Sequence, residues 1–184
     1  PGAGKTSVLE KTMERLKDKL KMAVIEGDLF TSKDADRIEK HGVPVIQINT
    51  AGGCHLDAPM VQTVAQKLDL DHLDLLVENV GNLVCPAEFA VGEDDKGVVL
   101  SITEGDDKPM KYPLIFKESA IALLNKADLV PYCNFDMAAA KEDITTLHPG
   151  MTVVEVSCTK ETGLDIWCDW LLARVKEKKE RCAK

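Results

Sequence analysis

An α/β fold, a mostly parallel sheet between two layers of helices, is what this 184-residue sequence predicts. Three observations predict it. Apolar, β-rich runs alternate with stretches of helical spacing, as in a parallel sheet whose crossovers are helices. The strand candidates are continuous apolar runs, which fits burial on both faces. The apolar content of 45% over this length suffices for one domain with a full core.

The elements run in order along the chain. Residues 6–20 have helical spacing, with Val8, Leu9, Met13, Leu16 and Leu20 on one face. Residues 22–25 are a short buried strand, and 34–40 a short helix closed by His41-Gly42. A strand at 43–48 leads to a helix at 56–68, and a strand at 73–77 ends in Glu78. Strands at 97–103 and 120–124, a helix at 137–147, a strand at 152–156 and a helix at 164–178 complete the pattern. Residues 92–96 and 104–111 read as polar surface loops.

The formal net charge of −8 argues against a nucleic-acid partner, which needs a basic stripe. The basic run at 176–181 reads as the solvated end of the last helix, where cations suit the dipole. No run approaches the roughly 20 apolar residues of a membrane span. The six cysteines are scattered and make no disulfide framework, so a reduced, cytoplasmic setting is expected. His41, His72 and His148 read as solvated, and Cys133, Cys158, Cys168 and Cys182 as loop, turn, helix-core and helix-end residues.

Pro1 to Thr6 matches the second half of the phosphate-loop pattern GxxxxGK[ST] and runs directly into an amphipathic helix. Backbone N–H groups of Gly2, Ala3, Gly4, Lys5 and Thr6, with Ser7 next, suit a phosphate at a helix N-terminus. Lys5 suits the β- and γ-phosphates and Thr6 a Mg²⁺ ion. Leu75-Leu76-Val77-Glu78 has the shape of a strand ending in a magnesium-site acid, with Gly81 placed to sense a γ-phosphate. Asp28 ends another strand; it fits a Mg²⁺ ligand or water-orienting group, or equally an exposed loop acid. Asn125-Lys126-Ala127-Asp128 follows a strand and reads as a guanine-recognition motif. A carboxylate accepts from guanine N1–H and its 2-amino group together, a donor pair adenine lacks. Lys126 would lie over the base, Asn125 would tie the loop to the phosphate loop, and Ser157-Cys158-Thr159 would supply backbone contacts to the guanine oxygen. The substrate read from these segments is GTP, and residues 1–184 are read as one P-loop GTPase domain.

In order, GAGKTS, EGD, TAGGCHLDA, ENVGNLVCP, TEGDDKP, KYPLIF, NKADL and VSCTKETGLDIW resemble the nickel-insertion GTPases of hydrogenase maturation, the HypB-type family. The resemblance runs from Pro1 to about Trp170. It implies a three-layer P-loop NTPase fold and a GTPase that dimerises when GTP is bound. It also implies partners: the large subunit of [NiFe] hydrogenase, in some organisms urease, and other nickel-handling accessory proteins. It implies a Ni²⁺ or Zn²⁺ site at the dimer interface formed by Cys54, His55 and Cys85. By the same carry-over Lys5, Asp28 and Glu78 form the catalytic group, Thr6, Asp28 and Glu78 hold Mg²⁺, and Asn125 and Asp128 read guanine. Without the resemblance, Cys54-His55 reads as a buried thiol beside a polar cap, and Cys85 before Pro86 as loop packing. Two other readings remain: a urease-accessory-type nickel GTPase, whose Cys-Pro-His stretch is absent here, and a non-catalytic module in which nucleotide only sets association. Arg37 reads as part of a charged helix face or as a dimer contact.

The sequence departs from the family pattern at Ala51, where glycine is usual, and at Ala90, where an acid is common. The first glycine of the phosphate-loop pattern and its feeding strand would lie before Pro1. The sequence is therefore read as an N-terminally truncated piece with the first strand missing, and poor stability and weak GTP hydrolysis are expected of it alone.

Overall fold

Gly4 takes φ 88°, and the chain turns from it directly into α1 (Lys5–Leu16). The computed structural model describes residues 1–28, 37–70 and 72–183, with the side chain of Asp28 outside that set. The remaining elements are β1 (Met22–Asp28), β2 (Val45–Asn49), α2 (Ala58–Ala65), β3 (Asp74–Glu78), α3 (Cys85–Glu88), β4 (Gly97–Ser101), α4 (Lys108–Lys111), α5 (Pro113–Glu118), β5 (Ile121–Asn125), α6 (Met137–Leu147), β6 (Thr152–Val156) and α7 (Leu164–Cys182). Single 3-10 segments succeed β4 and β5.

The strands form two parallel sheets, ordered β2-β1-β3 and β4-β5-β6. In the first, Val24 lies opposite Val45 and Leu76. In the second, Leu123 lies opposite Val99 and Val154. The two sheets share no ladder among the described residues, and β3 and β4 each keep one edge unpaired by a described strand.

One continuous core joins the sheets. Met13 and Leu16 of α1 and Trp167 and Cys168 of α7 pack on Val24 of β1 and on Ile121 and Leu123 of β5. Successive strand residues point to opposite faces. Ile25 therefore packs the other way, against Leu56 and α2. Ala122 and Leu124 likewise face Phe116 of α5 and Ile144 of α6. Trp167 Nε1 donates to Thr12 Oγ1 at 2.8 Å, and that hydroxyl donates to the Val8 carbonyl at 2.7 Å. The buried polar atoms between α1 and α7 are thus partnered, as a dry interface requires.

The far end of α7 is not simply solvated, as its basic run suggested. Arg174 pairs with Asp95 at 2.9 Å, Lys179 with Asp74 at 3.0 Å, and Lys178 with Asp94. Asp74 opens β3, and Asp94 and Asp95 precede β4, so α7 straps the starts of an edge strand in each sheet. Each exposed pair is weak alone, but together they fix the acidic loop. Among the described residues, no helix is long and apolar enough to cross a membrane.

Sequence patterning misplaces several boundaries. The expected helix at 56–68 starts only at Ala58, because Asp57 caps it by accepting from Met60 N–H, and Leu56 turns inward. The polar loop expected at 104–111 contains α4, and α7 runs four residues past 178. His148, expected to be solvated, is half-buried at the end of α6. Of the helix expected at 34–40, residues 34–36 lie outside the described residues; 37–39 are helical.

Chemical denaturation checks the joint between the sheets. Trp167→Phe should cost about 1 kcal/mol, the worth of one hydrogen bond, and Trp167→Ala about 3–5 kcal/mol.

Candidate functional site

The loop of residues 1–4 bends at Gly2 and Gly4, both left-handed at φ 82° and 88°. A Cβ on Gly4 would collide with the Asn125 amide, so glycine is required for two reasons. The amide that occupies this space donates from Nδ2 to the Ala3 carbonyl at 2.9 Å. Lys126, itself left-handed, donates from Nζ to the Gly2 carbonyl at 2.7 Å. No side chain caps the N-terminus of α1, so its first-turn N–H groups are open to an anion.

Thr6 Oγ1 donates to Glu78 Oε1 at 2.9 Å, and Lys5 Nζ lies 3.6 Å from the same oxygen. Two ligands at about 2.1 Å in neighbouring positions of an octahedron stand about 3.0 Å apart, so this pair fits Mg²⁺. Gly81 comes so close that a Cβ on it would stand 2.7 Å from the Pro1 nitrogen and 3.2 Å from Lys5 Nζ. Ser7 Oγ accepts from Arg37 Nη2 at 3.3 Å, while Arg37 also grips Glu10 at 2.5 Å. Arg37 thus serves α1 of its own chain. The Asp28 side chain, and the acids at 34 and 36, lie outside the described residues.

The guanine-motif residues gather where β5 and β6 end. Asp128 Oδ1 accepts from Ser157 Oγ at 2.5 Å, and Ser157 Oγ accepts from Lys160 N–H at 3.0 Å. Ser157, expected to act through its backbone, thus holds the Asp128 carboxylate with its hydroxyl. Cys158 Sγ lies 3.9 Å from Asn125 Oδ1, and burial pushes its thiol up.

The third cluster sits on the loop after β2. Ala51 takes φ 50° and Gly52 φ 94°, so alanine holds a left-handed position where glycine is unstrained. Thr50 closes the turn, its hydroxyl donating to the Gly53 carbonyl at 2.7 Å. Cys54 Sγ then lies 2.8 Å from Cys85 Sγ and 3.5 Å from His55 Nδ1. The donor atoms of Cys54, His55 and Cys85 all fall within 4.8 Å of one another. Two thiolates and an imidazole suit Zn²⁺ or Ni²⁺. In a tetrahedral shell with bonds of about 2.3 Å, thiolates stand about 3.8 Å apart, so this pair must part by about 1 Å. The contact with the Cys54 thiol, and then burial, hold the Cys85 thiol above the ordinary cysteine value.

Patterns in the sequence do not single out what positions this cluster. Phe89 stacks on the His55 ring at 3.9 Å and 13°. Asn79 Oδ1 accepts from Leu56 N–H at 2.9 Å. Asn82 donates to the Cys54 carbonyl and accepts from Cys85 N–H at 2.8 Å. An asparagine whose side chain accepts from the N–H two residues on makes a turn of its own, the signal that would have marked Asn82. Leu56 is buried into space that only a glycine leaves: a Cβ on Gly27 would stand 2.7 Å from it.

Residues 1–155 match the family described as CobW/HypB/UreG, nucleotide-binding domain. Over 184 residues the chain is 48% identical to the hydrogenase maturation factor HypB of Escherichia coli K12, covering 100% of this chain. It spans only 61% of the length of that relative. It is 42% identical over 179 residues to the probable hydrogenase maturation factor HypB of Methanocaldococcus jannaschii, covering 97% of this chain and 81% of the relative. The crystal structure of HypB from Helicobacter pylori in complex with nickel superposes with a TM-score of 0.89 at 38% identity, covering 97% of this chain and 84% of that one.

The phosphate loop gives a direct check. Gly4→Ala should destabilise the protein by about 2 kcal/mol, because alanine is strained there and displaces Asn125. Chemical denaturation measures the loss.

Proposed function

Because the chain belongs to the CobW/HypB/UreG nucleotide-binding family, and within it to the HypB hydrogenase maturation factors, we propose that it is a GTP-hydrolysing metallochaperone. In this reading nucleotide state gates a nickel or zinc cargo at Cys54, His55 and Cys85, for delivery to a hydrogenase. One observation carries the reading. Residues 78–85 hold, at one end, the acid paired with Thr6 and, at the other, the thiol paired with Cys54.

The loop of residues 1–4 and the first-turn amides of α1, Ser7 included, cradle the phosphates, and Lys5 offsets their charge. Thr6 and Glu78 would hold Mg²⁺, which supplies charge neutralisation on the transferring phosphoryl group. Asp28, at the end of β1, is the proposed second acid for the same ion or for the attacking water. Gly81 brings bare backbone to the γ-phosphate. Asp128, held by Ser157, takes the two guanine donors; Lys126 lies over the base, and Cys158 contributes its backbone. At the cargo site three ligands per chain leave at least one position open. A second copy in a GTP-promoted dimer fills it, and the exposed Val84 and Phe89 beside the thiols suit such a contact. The hydrogenase large subunit and other nickel-handling accessory proteins are the proposed partners. The cytoplasm, where six free thiols stay reduced, is the proposed setting.

The test uses the full-length protein. Cys54→Ala and Cys85→Ala should each abolish stoichiometric metal binding. Asp128→Asn should weaken GTP binding about 10- to 100-fold and favour xanthosine triphosphate, whose 2-oxo group accepts from the new amide. Metal binding that survives both cysteine changes would sink the cargo site. Absent GTP turnover would favour a nucleotide-gated binding module.

A pH series adds a second check. The Cys85 thiol is held protonated above its ordinary value, so an entering cation must displace protons. Apparent Zn²⁺ or Ni²⁺ affinity should rise as pH climbs from neutral toward the thiol range. Calorimetry in buffers of different ionisation heat should count up to two protons released, and a flat profile would count against thiolate ligation.

A further inference from the structure

Two asparagines lie between the nucleotide and cargo sites, and a coupling role for them rests on the function proposed for those two sites. Asn79 directly succeeds Glu78. Its Oδ1 accepts from its neighbour Val80 N–H and from Leu56 N–H, both at 2.9 Å. Leu56 directly succeeds His55. Asn82 lies three residues further on and holds both cysteines by their backbones. Its Nδ2 donates to the Cys54 carbonyl, and its Oδ1 accepts from Val84 N–H at 2.9 Å and Cys85 N–H at 2.8 Å. The loop carrying Cys54 and His55 is thus stapled to the segment after β3 at two points. The bonds differ in kind: among the described residues Asn79 acts as an acceptor, whereas Asn82 acts as donor toward Cys54 and acceptor toward Cys85.

We propose that Asn79 and Asn82 are positioning residues that set the spacing of Cys54 and Cys85 and pass the state of Glu78 to the cargo site. With both staples closed, the thiols stand 2.8 Å apart, too close for two thiolates of one metal shell. A shift at the end of β3, where Glu78 pairs with Thr6, carries Asn79 with it and pulls on Leu56. Opening the Asn82 bond to the Cys54 carbonyl lets the thiols part while Asn82 Oδ1 keeps its bonds from Val84 and Cys85 N–H. The cargo site therefore changes geometry as a hinged pair of loops, with no need for the sheets to move.

The chemistry of the staples gives variants with opposite outcomes. Asn79→Asp keeps the acceptor that Asn79 uses, whereas Asn79→Leu loses it. Asn82→Asp keeps the acceptors for Val84 and Cys85 but loses the donor to Cys54. The measurement is the ratio of Ni²⁺ dissociation constants with GDP and with a non-hydrolysable GTP analogue, on the full-length protein. The thiolate-to-nickel charge-transfer band reports geometry, and thermal melting checks folding. The charge added by Asn82→Asp shifts affinity in both nucleotide states, so the ratio is read together with the band rather than either constant alone. Asn82→Asp and Asn79→Leu should shrink the ratio about 10-fold and alter the band, as outer-shell changes at metal sites do. Asn79→Asp should keep the wild-type ratio. If Asn79→Leu fails to fold, the contrast between Asn79→Asp and Asn82→Asp decides alone. A wild-type ratio in Asn82→Asp, with an unchanged band, overturns the staple. A wild-type protein that binds nickel with no nucleotide dependence overturns the coupling itself and this role with it. Wild-type protein that binds no nickel overturns the cargo reading beneath both.

Discussion

The hydrogen bond from Asn125 to the Ala3 carbonyl is the constraint on which the nucleotide site depends. Its donor stands at the end of β5 in one sheet, and its acceptor precedes the helix that covers both. Because the sheets share no ladder among the described residues, side chains hold their ends in register. The core between α1 and α7 does this at depth. Asn125, itself buried, and Lys126 do it where β5 ends, by bonds to the carbonyls of Ala3 and Gly2. Gly4 permits the approach because it brings no Cβ into the space the amide needs. A bare backbone is thus what lets residues more than 120 positions apart share one site.

The stretch from Glu78 to Cys85 combines three kinds of group that respond to different things. The carboxylate answers to cations and to the Thr6 hydroxyl, the asparagines to backbone, and the thiol to soft metals. Packing them into one short connection means that a disturbance at one end has little slack to dissipate into. Phe89 extends the arrangement past α3 by fixing the ring plane of His55. What the connection lacks is regular structure, and segments of that kind can take two discrete arrangements at small cost.

Much of this was legible in the sequence because the chemistry dictates residue types. A phosphate loop needs glycines, a lysine and a hydroxyl, and a guanine reader needs a carboxylate at a strand end, so candidates for those roles announce themselves. The paired Cys54-His55 and distant Cys85 were legible only through a resemblance, and their meeting within 4.8 Å is a tertiary fact. The helices α3, α4 and α5 escaped periodicity because each is shorter than two turns and opens with a proline at its first or second position. The start of α2 was misplaced because Leu56 has the hydrophobicity of a helix face but is claimed by β1. Asn79 and Asn82 were not singled out, because polar side chains reveal their partners only once another loop has come alongside. Glu161, left-handed at φ 56° and paired with Lys11 at 2.9 Å, was hidden for the same reason.

The empty space at Gly27 and the side chain of Leu56 fill one another, and this constrains the routes by which the protein can change. A methyl group gained at residue 27 before residue 56 shrinks would force the loop of Cys54 and His55 off its seat. The reverse order, first a smaller residue 56 and then a larger residue 27, passes through a cavity that costs stability but leaves the loop in place. Descent through these two positions is therefore directional. The depth at which Cys54 and His55 ride above β1 behaves as one inherited trait recorded in two residues.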